Sequence, residues 1–227
     1  EHMNIVDKAL KRLANANIAT FVIMGNHDYK KSGQSFTSSI SSLSASEYPN
    51  VRMLLEPEVV SVCNASNEKV ELVLIPYRDR RMYEGSDIRT QSSGYNSHII
   101  DLVSSASGDV PIVAVGHNFF YEGSYNDYGG TEVMAIPQSF KGCDLAMMGH
   151  LHQFRVLRKT APVCVYTGSM ERSNFGDANV SKYFVDYDIT SKKAKFCKSP
   201  VRNLSDTAID LAGLGFSEVD DALKAAI

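Results

Sequence analysis

The sequence of 227 residues contains no tryptophan, no apolar run of membrane-spanning length and no excess of positive charge. Its 23 lysines and arginines stand against 26 aspartates and glutamates, which gives a net charge of −3. A protein that wraps nucleic acid by charge alone would be more basic, so any contact with a polyanion must come from a local patch or from bound cations. Hydrophobic residues make up 44% of the chain, which predicts a folded core rather than a disordered tail.

Cysteine is scarce and widely spaced. No two of the four cysteines form a C-x-x-C pair, and nothing in the sequence resembles a signal peptide. We therefore predict buried free thiols in a reducing compartment, a cytoplasmic location and no membrane attachment. The residues concerned are Cys63, Cys143, Cys164 and Cys197.

Short apolar runs rich in β-branched residues predict an α/β chain. The apolar residues between Ile5 and Leu13 are spaced as one face of an amphipathic helix. Buried strands are predicted where such runs end at a glycine or a turn. These runs lie at 18–24, 51–55, 59–63, 70–76, 110–115, 145–148 and 163–166, with an alternating outer strand at 183–189. Of these, 59–63 and 70–76 are expected to be neighbouring strands joined by a turn.

Polar segments separate the predicted strands. Long loops are expected at 29–46 and 121–130, the second with the tyrosine and glycine content of a loop near a binding surface. The segment 77–93 holds the densest group of arginines, and it is either a solvated surface loop or a phosphate contact. Helices are expected at 97–105 and 219–227.

Three of the buried runs are followed by a glycine and then by histidine. The segments are Gly25-Asn26-His27-Asp28, Gly116-His117 and Gly149-His150-Leu151-His152. Ligands gather at the carboxyl ends of strands in α/β sheets, and imidazole nitrogens with an amide oxygen suit manganese, zinc or iron better than calcium. Each histidine alone could simply be bonded to backbone at a strand end, but three occurrences in the same context favour a metal site. His98, in the predicted helix, is expected to be a surface or packed histidine.

These three segments, in this order, resemble the third, fourth and fifth motifs of the calcineurin-like metallophosphoesterases. Gly168-Ser169 and the segment 173–177 further resemble the nuclease subunits of the SbcD/Mre11 group, and this resemblance covers about 5–204. It implies an α/β fold, a four-layer αββα sandwich of two mixed sheets flanked by helices, incomplete at its amino-terminal end. It also implies a nuclease domain at 1–198 and the start of a capping region at 199–227.

The resemblance also implies a role for each site residue. Two divalent metal ions are expected, with Mn²⁺ as the physiological choice. Asn26, His117 and His150 would be ligands of one ion and His152 a ligand of the other. The catalytic residues would be His27, facing the scissile phosphate, and Asp28, holding the other ring nitrogen of His27.

Two earlier family motifs, Asp-x-His and Gly-Asp-x-x-Asp, do not occur upstream of these segments. No aspartate stands two residues before a histidine, and Gly108-Asp109 and Gly176-Asp177 lack the second aspartate. Either the chain is a shortened form of a complete nuclease or it is a natural variant that lost the site. Intact later motifs favour the shortened form. We expect at most one weak manganese site and little or no manganese-dependent nuclease activity in this chain, and activity in a version extended upstream by both motifs.

Three functions remain open on the sequence. The first is a DNA end-processing enzyme, a double-strand exonuclease and single-strand endonuclease that works with an SbcC/Rad50-type ATPase and is a homodimer when full length. The second is a metallophosphoesterase of small phosphodiesters or phosphoproteins. The third is a non-catalytic scaffold that binds DNA or the ATPase. The tyrosine-rich loop at 121–128 and the segment after Gly168-Ser169 favour the first.

Overall fold

The strands with the strongest apolar runs form one six-stranded mixed sheet. The computed structural model describes residues 2–32, 35–38, 40, 48, 50–125, 130–204, 212, 215, 218–219 and 221. Its helices are α1 (His2–Asn15) and α2 (Ile88–Ser105). Its strands are β1 (Thr20–Ile23), β2 (Tyr29–Ser32), β3 (Ser35–Ser38), β4 (Val51–Leu54), β5 (Glu58–Cys63), β6 (Lys69–Ile75), β7 (Ile112–Gly116), β8 (Phe119–Phe120), β9 (Met134–Ala135), β10 (Leu145–Met148), β11 (Arg155–Arg158), β12 (Val163–Tyr166), β13 (Tyr183–Asp188) and β14 (Lys193–Lys198).

The main sheet has the strand order β11-β12-β10-β7-β6-β5. The four inner strands are mutually parallel, while β5 and β11 pair antiparallel at the two edges. The register aligns Ile75 and Met148 with Gly116, and Met148 with Tyr166. The carboxyl ends of the four inner strands therefore form one border of the sheet, its C-terminal edge. The residues that follow these strands lie side by side there.

Both faces of this sheet are covered, which is why its inner strands are almost continuously apolar. On one face, β-strand residues such as Val73 and Met148 pack with Tyr95 and Ile99 of α2. On the other face, Val113, Leu145 and Val165 pack against the apolar side of the β13–β14 hairpin. The alternating exposure along β13 results from this arrangement, because only every second residue faces the sheet.

A separate parallel pair, β1–β4, carries α1 and approaches the same edge of the main sheet. The Tyr77 N–H donates to Met24 O at 2.8 Å, which joins the end of β1 to the residues after β6. Helix α1 buries Leu10, but its Ile5 and Val6 are 64% and 43% exposed. The helix predicted from the apolar spacing is thus confirmed, and its apolar face is only partly covered by described residues.

The predicted α/β class is confirmed, and so are the predicted strands, including β5 and β6 as antiparallel neighbours. Of the two mixed sheets predicted, the described residues contain one, the six-stranded sheet. In the described residues, β1–β4 and β13–β14 form two-stranded sheets beside the six-stranded one. The division at residue 198 stays a prediction. Neither helix in the described part of the chain is long and apolar enough to cross a membrane.

Several predicted loops were wrong. The segment 29–46 contains the antiparallel hairpin β2–β3, whose lysines and serines hide any apolar alternation. Within 77–93, α2 begins at Ile88 because the Asp87 side chain accepts from the backbone N–H groups of Arg89 and Thr90. The predicted helix at 219–227 falls almost wholly outside the described residues.

Two predictions about exposure also need correction. Arg78 is not part of a solvated loop: it is buried, donates to Leu55 O at 3.0 Å and pairs with Glu56 at 2.7 Å. Not all cysteines are buried. Cys143 and Cys164 are, but Cys63 on the edge strand β5 is exposed and Cys197 is half-buried, since these outer strands keep one side toward water.

Candidate metal centre

Asn26 and His117 meet although they follow different strands. The His117 Nε2 atom lies 3.0 Å from Asn26 Oδ1. The loop that carries His117 is fixed by its neighbour Asn118, which is fully buried, accepts from the Arg78 N–H at 3.1 Å and donates to Arg78 O at 3.0 Å. Two of the predicted ligands are therefore brought together by loops that follow β1 and β7, strands of two different sheets.

Two glycines make room for the His117 ring. A Cβ atom at Gly25 would lie 3.1 Å from His117 Cε1, and one at Gly149 would lie 2.7 Å from His117 Nδ1. The ring is thus held between the backbones that precede Asn26 and His150. This close approach explains why glycine stands at both positions.

His150 lies beside His117 in an aromatic and acidic pocket. The two ring centroids are 5.3 Å apart, and the His150 ring contacts Phe119 edge-on at 4.1 Å and stacks near Tyr77 at 6.3 Å. Its Nε2 atom is 3.1 Å from Glu132 Oε2. In the part of the chain that the structure describes, this buried oxygen has no hydrogen-bond donor.

The electrostatics of the pocket keep His117 uncharged. Burial, together with the neighbouring His150, lowers the pKa of His117 to about 4, while Asp28 and Glu132 act in the opposite direction. The ring is consequently neutral at pH 7, with a lone pair for a metal ion or a hydrogen bond. Neutral imidazole is the form that binds metals.

His27 and Asp28 lie in the turn between β1 and β2. The His27 side chain is exposed, as a group that contacts an incoming phosphate must be. The Asp28 carboxylate accepts from the Gly25 N–H at 3.0 Å and so closes the turn. Their predicted catalytic roles stay predictions.

His152 is held by the segment that follows Gly168. Its Nδ1 atom is 3.2 Å from Ser173 Oγ. Its backbone oxygen accepts from Lys182 Nζ at 3.0 Å and from the Ser169 N–H at 3.1 Å. Gly168, at φ +74°, lets the chain pass close to this loop, because a Cβ there would lie 2.8 Å from Phe154 N.

The donors fit one divalent ion in part. Two ligands at adjacent corners of an octahedron are about 3.0 Å apart when each metal–donor distance is about 2.1 Å, and Asn26 Oδ1 and His117 Nε2 have this separation. His150 lies beside this pair, with its ring centroid 5.3 Å from that of His117 and its Nε2 atom directed at Glu132. For the second ion the sequence offers His152 alone, and across the described residues no three His, Cys, Asp or Glu side chains converge as a metal group. This absence applies to both predicted positions, so the pair of ions stays a prediction, supported by the approach of Asn26 and His117 alone.

Sequence reasoning missed Tyr77, Phe119 and Glu132 as neighbours of the histidines. Tyr77 and Phe119 follow β6 and β7 closely, so the rule that ligands gather at strand ends could have indicated them. Glu132 lies in an irregular segment just after the tyrosine-rich loop. No spacing or pattern marks it, and only the three-dimensional arrangement brings it to His150.

Comparison with known proteins identifies a family. The profile of the family described as calcineurin-like phosphoesterase matches residues 3–154, more than half of the chain and all of the histidine segments. A solved structure of a putative 5'-nucleotidase from Staphylococcus aureus is similar, with 11% identity, a TM-score of 0.32, and coverage of 73% of this chain and 32% of that one. The chain spans about a third of the length of that protein. On the family match, the chain belongs to the calcineurin-like phosphoesterases.

Proposed function

We propose that this protein hydrolyses phosphodiester bonds of DNA with the help of divalent metal ions. The observation that carries the proposal is the 3.0 Å approach of Asn26 Oδ1 and His117 Nε2 at the end of two strands, next to His150. A bound ion there would supply hydroxide at neutral pH and neutralise charge on the phosphate.

The residues of the chain have distinct tasks in this proposal. Asn26, His117 and His150 hold the ion, with His117 kept neutral by its burial. His27 is exposed beside them and donates an N–H to a phosphate oxygen or to the leaving oxygen. Asp28 fixes the turn from which His27 projects.

DNA as substrate, in end processing and recombination repair, rests on the resemblance of 168–177 to the SbcD/Mre11 group and on the tyrosine-rich loop. A homodimer, an SbcC/Rad50-type ATPase partner, Mn²⁺ as the metal and a cytoplasmic location belong to the same proposal. Sedimentation of the version extended upstream tests the dimer: twice the mass of one extended chain is expected, and a monomer at micromolar concentration contradicts it.

One observation favours a smaller substrate instead. Two of the four arginines in the segment 77–93 are paired with carboxylates: Arg78 with Glu56, and Arg81 through two nitrogens with Asp79. Pairing reduces the charge that they present to a nucleic acid backbone. Hydrolysis of a small phosphodiester is therefore the second candidate.

Metal binding and hydrolysis test the proposal together. We expect one weak Mn²⁺ site in the wild-type chain by calorimetry, lost in Asn26→Ala and His117→Ala. The matched control is His98→Ala, since His98 lies on α2 against Tyr83. Equal Mn²⁺ binding by wild type and His117→Ala would overturn the proposed site.

Hydrolysis is measured with this chain and with a version extended upstream by the Asp-x-His and Gly-Asp-x-x-Asp motifs, which supply the missing carboxylates. We expect strong Mn²⁺-dependent activity only in the extended version. Competition between duplex DNA and bis-p-nitrophenyl phosphate then separates the two substrates: DNA should inhibit turnover of the small diester at submicromolar concentration if DNA is the substrate.

A further inference from the structure

A serine, an aspartate and a buried lysine form a continuous chain of hydrogen bonds to His152. Ser173 Oγ is 3.2 Å from His152 Nδ1 and 3.1 Å from Asp177 Oδ2. The Ser173 N–H also donates to the same carboxylate oxygen, at 3.1 Å. Asp177 in turn pairs with Lys182 at 2.9 Å.

The charges in this series of hydrogen bonds determine which group donates and which accepts. Asp177 is buried, which raises its pKa, but the hydrogen bonds from Lys182 and Ser173 outweigh burial and lower it overall. The carboxylate is therefore ionised at neutral pH and can only accept. Ser173 has one hydroxyl hydrogen. When the hydroxyl donates it to Asp177, the oxygen can only accept from the histidine ring.

Lys182 links Asp177 to the backbone of His152. Its side chain is fully buried, a costly position for an ammonium group unless it is paired and hydrogen-bonded. It donates to His152 O at 3.0 Å while pairing with Asp177. One buried ion pair thus fixes the backbone of His152 and, through Ser173, its ring.

We propose that Ser173 and Asp177 are positioning residues that hold His152 in the tautomer protonated at Nδ1, so that Nε2 carries the lone pair. This deepens the proposed function, on which it rests for the purpose of the free Nε2: the atom turned away from Ser173 is the one available to a metal ion or a phosphate. A metal-binding histidine commonly has its other nitrogen held in this way by an outer group.

Nitrogen NMR of the metal-free protein tests the inference directly. With ¹⁵N-labelled histidine, long-range ¹H–¹⁵N spectra distinguish the Nδ1–H, Nε2–H and doubly protonated rings. We expect His152 as Nδ1–H in the wild type, and a shift toward the Nε2–H form that predominates in free histidine in Ser173→Ala. Ser173→Thr restores a hydroxyl and should restore the wild-type spectrum.

Ser169→Ala is the matched control, because Ser169 bonds the backbone of His152 and not its ring. It should leave the His152 tautomer unchanged. An Nε2–H ring in the wild type, or identical spectra for wild type and Ser173→Ala, would overturn the inference. The experiment contains no metal and no substrate, so a protein with the Nδ1–H ring and no hydrolytic activity in its extended form would support this inference and contradict the proposed function.

Discussion

His117 is the residue on which the candidate centre depends most. It contacts Asn26 through Nε2, it lies against the backbones of Gly25 and Gly149, and its ring centroid is 5.3 Å from that of His150. A positive charge on this ring is unfavourable, because burial penalises the charged form. Its low pKa is therefore a property of the folded arrangement.

The stability of the metal-free protein should fall in mild acid because of this residue. Between its unfolded pKa near 6.5 and its folded pKa of about 4, the unfolded chain binds a proton at His117 that the folded chain does not. The free energy of unfolding therefore decreases as the pH drops through this window, by roughly 3 kcal/mol in total. Urea unfolding at pH 7.5 and pH 4.5 measures the loss, which should be smaller in His117→Gln. The same loss in both proteins would show that His117 is not a buried neutral ring.

At the scale of elements, the glycine after β10 connects the sheet to the site. A Cβ at Gly149 would meet His117 Nδ1 at 2.7 Å, closer than real Cβ contacts, and the ring cannot retreat without leaving Asn26. Gly149→Ala should therefore reduce Mn²⁺ affinity at least tenfold and destabilise the fold by about 1–3 kcal/mol. Calorimetric titration and urea unfolding measure the two effects.

Gly94→Ala is the control for this substitution. Gly94 lies within α2, and its added Cβ would be 3.4 Å from Tyr83 Cδ1, an ordinary contact. Alanine is favoured over glycine in a helix by about 1 kcal/mol, so this variant should be at least as stable as the wild type and bind Mn²⁺ equally. Unchanged Mn²⁺ affinity in Gly149→Ala would show that metal binding does not depend on the observed position of the His117 ring.

Helix α2 shows why some elements could be predicted from the sequence and others could not. Its second half has apolar residues such as Ile99 and Val103 that reveal the helix. Its first half buries polar groups instead: Ser92 Oγ accepts from the Met134 N–H, and Asn96 donates to Met134 O. A face that is buried through hydrogen bonds shows no periodic spacing of hydrophobic residues. The sequence therefore predicts a helix from residue 97, nine residues after the observed start at Ile88.

At the scale of the whole molecule, the strands of the central sheet and the residues at their ends could be predicted from the sequence, but the residues that contact them from loops could not. Strands buried on both faces are legible as apolar runs, and glycines at their ends marked the edge where Asn26, His117 and His150 gather. The partners of these histidines come from segments with no pattern of their own. Glu132 contacts His150 and Lys182 contacts His152. Both residues lie in irregular segments whose course depends on tertiary packing, which the local sequence does not predict.

Metal binding should stabilise the whole fold, because its donors come from β1, β7 and β10, which lie in two different sheets. An ion that binds the folded chain only adds about 1.4 kcal/mol at ten times its dissociation constant, which corresponds to a rise of about 3–5 °C in Tm for a chain of this size. Thermal unfolding with and without Mn²⁺ measures this rise, and excess chelator should reverse it. Asn26→Ala should show no rise, while His98→Ala, altered on α2, should show the full one. An equal rise in Tm for Asn26→Ala would mean that Mn²⁺ binds elsewhere on the protein, which would contradict the proposed site.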